Sequence, residues 1–185
     1  YSALYSWVED STVQVQLDAA NRSFHPKVCV LRYTRDGFPV RYRVIVLSRN
    51  LTAERDWDIA AHVDGDVGHE LVADNRPLTD FVSYLSGLAP GRLPTRFLED
   101  LGKVTFEKLR GFNPRIRFHP IGIPGHEQSP IAWQTGTSAV VISPFLDAGC
   151  LGVLRARLEG GGVLLSRREE LSRLSPDSLA GFSCY

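Results

Sequence analysis

Apolar positions between residues 28 and 47 fall into two runs with the period of an extended chain. Val28, Val30 and Arg32 alternate with Cys29 and Leu31, the pattern of a strand in a covered sheet. Arg35-Asp36-Gly37-Phe38-Pro39 follows, and Asp-Gly within it is a turn signal. A second strand is expected over about 41–47. Residues 58–63 read as a further strand or its lead-in, and residues 12–17 alternate like a short one. Residues 64–76 are loop-rich. The period then changes. Leu78, Phe81, Val82, Leu85 and Leu88 are spaced for a helix, with Pro77 at its start and Ala89-Pro90-Gly91 after its end. Phe97, Leu98, Leu101, Val104, Phe106 and Leu109 predict a second helix over 93–109, weakened in its middle by Gly102. Both stripes are core-facing. Residues 116–123 suit a strand broken at Pro120.

The last third reads as alternating strands and helices. A buried strand over 139–145 precedes a helix over 146–158. Gly160-Gly161-Gly162 turns the chain into a second buried strand at 163–166, and a helix starts at 167–174. That order implies a parallel sheet. The expected class is α/β, a mixed or parallel sheet flanked by helices. The glycine triplet is not a phosphate loop, because no Gly-Lys-Ser/Thr follows it.

Composition narrows the possibilities. Of 185 residues, 43% are hydrophobic, ordinary for a globular protein. No apolar run approaches the roughly 18 residues of a membrane helix, and no basic-then-apolar leader is present. The 21 basic and 21 acidic residues balance, so no global charge draws the chain to nucleic acid or an anionic membrane, although a local basic groove is compatible. Cys29, Cys150 and Cys184 are odd in number and widely spaced, without a metal-ligand pattern. They read as reduced thiols of a cytoplasmic protein. The absence of methionine and the abrupt ends suggest a piece of a larger protein. Asn21-Arg22-Ser23 and Asn50-Leu51-Thr52 match the glycosylation sequon, a motif frequent by chance.

One stretch carries chemistry. His25 and Lys27 are two apart, so a strand projects both from one face. The hairpin would return Ser48 and Asn50 beside them. A histidine serves as nucleophile or general acid/base near neutral pH. Lysine, amide and hydroxyl groups stabilise charge on phosphoryl oxygens. Such a group suits a phosphodiester and needs no metal or other cofactor. Asp58 is a candidate carboxylate to orient His25, with a plain surface Asp beside Trp57 as the equal alternative. An ordinary strand histidine is the better reading of His62. By itself, His-x-Lys on a strand is more often just a partly exposed face.

These residues in this order resemble the phospholipase D superfamily, whose half-site reads H-x-K followed by G-S-x-N. His25-Pro26-Lys27 matches the first element. Leu47-Ser48-Arg49-Asn50 matches the second at Ser48 and Asn50 but not at the glycine. The Asp that follows the lysine by five positions in the phospholipases is replaced here by Arg32. With the continuation Asn50-Leu51-Thr52 and Asp56-Trp57, the pattern is most similar to the tyrosyl-DNA phosphodiesterase-like branch. The resemblance implies two facing α/β lobes. Residues 1–66 would be the end of the first lobe, with its half-site. Residues 67–137 would be a helical connector, and 138–185 the start of a second lobe. It also implies a metal-independent phosphodiesterase, a nuclease or DNA-repair hydrolase, acting on nucleic-acid ends through a phosphohistidine. His25 would be the nucleophile, with Lys27, Ser48 and Asn50 on the phosphate. No other histidine is followed by Lys at the second position. The second half-site would come from sequence beyond residue 185 or from a dimer partner, and the chain alone would be inactive. The alternative is a non-catalytic lobe that binds nucleic acid or a protein.

Overall fold

The computed structural model describes residues 6, 11–15, 23–48, 58–112 and 115–185. The fold is mixed α/β, with one antiparallel and one parallel sheet. The chain divides into two compact units, Tyr1–Pro120 and Ile121–Tyr185.

The first unit is built on β1 (Val28–Tyr33), β2 (Arg41–Leu47), β3 (Ala60–Val67) and β4 (Val104–Phe106), in that spatial order. All neighbours are antiparallel, with Val28 opposite Val46 and Leu47 opposite Ala60. Alternation gives the sheet two unlike faces. Tyr42, Val44, Val63 and Val104 point to one face and are buried with Leu78, Val82 and Leu101. Those partners come from α1 (Arg76–Leu88) and α2 (Thr95–Leu101). The other face carries Leu31 and Tyr33, both exposed. Within residues 67–137, read from sequence as a helical connector, the stretch 76–106 supplies the helices and the fourth strand of this unit's own core, and the stretch from Ile121 on belongs to the second unit.

Two sequence expectations change here for one reason. The helix over 93–109 stops at Leu101, and Val104–Phe106 is a strand. Residues 64–67, expected in a loop, continue β3. The apolar positions 97–109 fit helical spacing, but Val104 and Phe106 also fit alternation, and the chain leaves the helix at Gly102. Asn75 fixes that exit. It is buried, and its side-chain amide donates to the carbonyls of Leu101 (3.2 Å) and Val104 (2.7 Å). Gly65 lets β4 approach β3. A Cβ at Gly65 would stand 2.5 Å from the Thr105 carbonyl oxygen and 2.8 Å from Phe106 Cα.

In the second unit β5 (Ala139–Ile142), β6 (Gly162–Leu165) and β7 (Phe182–Cys184) form a parallel sheet in sequence order. The expected helix over 146–158 is α3 (Ala148–Arg155), begun by Asp147, whose Oδ1 accepts from the Cys150 amide at 2.8 Å. The helix starting near 167 is α4 (Arg168–Arg173), followed by α5 (Pro176–Leu179). Leu146, Leu151 and Leu164 make the core, lined by Leu171, Leu174, Leu179 and Phe182. The strand expected over 116–123 is absent. Ile123 makes an isolated bridge with His126. Residues 12–15 are irregular, and the rest of that expected strand lies outside the described residues. No helix among the described residues is long and apolar enough to cross a membrane.

Candidate active site

His25-Pro26-Lys27 lies immediately before β1, and the ladder extends to it. The Leu47 amide donates to the Lys27 carbonyl at 2.9 Å, so Lys27 sits opposite Leu47. Pleat alternation then puts His25 and Lys27 on the face shared with Cys29 and Leu31, away from the helices. The two side chains meet. Lys27 Nζ is 3.0 Å from His25 Nδ1 and 3.1 Å from Nε2. Near-equal distances set the ammonium against the ring and not on the lone pair of either nitrogen. His25 is exposed and Lys27 is half-buried.

Ser48 belongs to a second couple. The Ile59 amide donates to its hydroxyl at 2.9 Å, and that hydroxyl lies 3.1 Å from Asp58 Oδ1, to which it donates. The Ser48 amide also donates to the Ile59 carbonyl at 2.9 Å. These bonds close the end of β2 onto the start of β3. By alternation Ser48 follows Val46 on the face opposite to Lys27. The structure therefore brings His25 to Lys27 and Ser48 to Asp58, on opposite sides of the pleat. Asn50 and Trp57 lie outside the described residues. Arg32 turns inward and donates to Asp100 on α2. His62 is exposed on the open face, across Ile45 from Cys29.

The open face carries a charged ladder that motif matching passes over. Arg43 grips Asp64 with two bonds, Nε to Oδ1 at 2.7 Å and Nη2 to Oδ2 at 2.8 Å. Arg41 reaches Asp66 at 3.0 Å, Asp64 at 3.5 Å, and also Glu107. The Arg43 guanidinium holds the Asp64 carboxyl down to about 2, against a smaller opposing effect of burial. Arg43 is raised in turn, chiefly by its bond to Asp64. The visible signal was Arg-x-Arg on one strand facing Asp-x-Asp on the next, a complementary pattern at period two.

Among the described residues no three His, Cys, Asp or Glu side chains cluster as a metal site requires. In the second unit an open hollow of about 350 Å³ is lined by Ser166, Arg168, Leu171, Ser172 and Tyr185. Comparison with family models, with curated proteins and with solved structures gave no match to this chain.

Proposed function

We propose that the first unit is a half-site of a metal-independent phosphodiesterase of the phospholipase D superfamily, acting on nucleic-acid ends. The observation that carries this reading is the Lys27 ammonium held against the His25 imidazole at the solvent-facing end of β1. In the proposed reaction an unprotonated His25 nitrogen attacks phosphorus as the bond to the leaving oxygen breaks, forming a phosphohistidine. Lys27 offsets the charge gathering on the non-bridging oxygens. Water then cleaves the P–N bond, and its proton passes to a base. A second half-site supplies the acid that protonates an alkoxide leaving group. The parallel second unit would be the start of the lobe that carries it.

One observation favours the alternative, a non-catalytic lobe that binds nucleic acid. The Ser48 hydroxyl is engaged by Asp58 and Ile59, on the face away from Lys27.

A single experiment separates the two. An acidic phenol leaves without protonation, so the first half-reaction needs no partner histidine. The chain is mixed, in EDTA, with the p-nitrophenyl ester of a 3′-nucleotide. The catalytic reading expects a stoichiometric burst of phenolate and a nucleotidyl adduct on the His25 peptide. His25→Ala abolishes both, and Lys27→Ala slows the burst about 100-fold. A folded chain with neither burst nor adduct leaves the binding module.

A further inference from the structure

We infer that Asp64, Asp66 and Glu107 are specificity determinants that close the open face of the first sheet to a polyanionic chain, so that its phosphodiester is taken singly, at an end or in a small molecule. This deepens the phosphodiester reading of His25 and Lys27 and rests on it.

The argument starts from strand register. Lys27 marks one end of the open face, opposite Leu47. Four residues along, Leu31 faces Arg43, which faces Asp64; two further, Tyr33 faces Arg41, which faces Asp66. At about 3.3 Å per residue the ladder begins roughly 13 Å from Lys27 and ends near 20 Å. Nucleic acid repeats its charge every few ångströms, about 3.4 Å of axis per phosphate on a duplex strand. A strand anchored by one phosphate at Lys27 and running down this face would lay further phosphates on the ladder.

The ladder does not receive them. It contains two guanidinium groups and three carboxylates, one negative charge in excess. Both arginines are already engaged. Arg43 spends its fork on Asp64, and Arg41 is shared among Asp66, Glu107 and Asp64. Asp64 and Glu107 fall opposite each other, since the Glu107 amide donates to the Asp64 carbonyl at 2.7 Å. That places like charges side by side, bridged only by arginine. On the same face Lys103 lies past the strand end, opposite Gly68. A phosphate arriving here would displace a carboxylate from its arginine while repelled by its neighbours. A single diester at Lys27 meets none of this.

The test is equilibrium binding of a labelled oligothymidylate and a labelled thymidine dinucleotide to the whole chain, by anisotropy, over a range of salt. The wild-type chain should bind both equally, with a log–log salt slope of about −0.7, the value for one phosphate contact on a single strand. The variant Asp66→Asn/Glu107→Gln removes two of the three carboxylates around Arg41, leaving it only the longer 3.5 Å contact with Asp64, which Arg43 already holds. It should bind the longer ligand more tightly, with a slope near −1.4, while the dinucleotide is unchanged. Both altered side chains are exposed, and Asp66→Asn alone gives a weaker shift in the same direction if the double variant is unstable. A wild-type chain that already prefers the oligothymidylate overturns the inference, and so do variants that stay indifferent to length. The His25 adduct on the small ester is read separately, so loss of that chemistry is distinguishable from failure of the charge screen.

Discussion

Arg32 on β1 donates through Nε (3.1 Å) and Nη2 (2.6 Å) to one oxygen, Oδ2 of Asp100, at the far end of α2. The pair is mostly covered, with 20% and 13% of the side chains exposed. The Asp100 bond raises the Arg32 pKa above its already high ordinary value. Five residues after the lysine of His-x-Lys, an odd offset places a strand residue on the opposite face. At the position where phospholipases of the resembled family carry Asp, this chain uses an arginine to tie a helix to its sheet.

Removing Asp100 leaves the mostly covered Arg32 guanidinium without its carboxylate, and removing Arg32 leaves Asp100 only the longer 3.7 Å contact with Arg96 on its own helix. Arg32→Ala and Asp100→Ala should each destabilise the first unit by about 2 kcal/mol. The double variant should lose well under the sum, because the two share one interaction. Urea unfolding of the four proteins measures this. Additive losses would show that the two residues act independently.

Tyr42 predicts a second effect from the same interface. It is fully buried, donates to the Phe97 carbonyl at 2.7 Å, and meets the Phe97 ring edge-on at 5.3 Å. Tyr42→Phe keeps the ring contact and removes the hydrogen bond to the Phe97 carbonyl, a loss of about 1 kcal/mol. Burial pushes the phenol up to about 12. The neutral form is thus favoured in the fold. Its stabilisation is complete below the unfolded value of about 10 and disappears as pH rises toward about 12. Tyrosinate absorbance should show one phenol ionising late, together with unfolding, and that step should be missing in Tyr42→Phe.

How far the sequence could be read follows from which forces were local. The β1–β2 hairpin was legible because alternation and Asp-Gly act within a few residues, and Gly37 takes the left-handed conformation (φ 77°). The parallel order of β5 and β6 was legible because an intervening helix leaves few other connections. The strand at Val104–Phe106 was not, since its apolar positions fit two periods and the decision lies with Asn75 and Gly65, far away in sequence. At the site, the spacing of His25 and Lys27 gave their common face directly. Ser48 joined them in the motif, yet strand parity sends it the other way. A motif match orders residues along the chain and carries no information about which face of the pleat each takes.

Gly65→Ala makes the close approach of β4 testable. The new methyl would meet backbone atoms of Thr105 and Phe106 and the side chain of Val104, within 2.8 Å of each. Backbone on both sides cannot yield cheaply, so β4 must shift away from β3. We expect a loss of several kcal/mol, at the upper end for a single substitution, and faster amide exchange at Gly68 and Glu107, whose amides donate across this seam to Lys103 and Asp64. Wild-type stability in this variant would show that the two strands are not held this close.

The acid limit of the first unit should be set in part by Asp64. Its carboxyl titrates near 2 because Arg43 donates two bonds to the charged form, while an unfolded Asp titrates near 3.9. A depressed folded value means that the unfolded chain binds the proton first. The contribution of Asp64 is therefore full above about pH 4 and fades as pH falls toward about 2. Asp64→Asn cannot ionise. Its stability should fall below that of the wild type at neutral pH, and the two curves should converge as pH drops through that window. Thermal melts between pH 2 and pH 6 measure the difference directly. A constant gap across the window would mean that the Arg43–Asp64 bond holds the strands no more tightly when charged than when neutral.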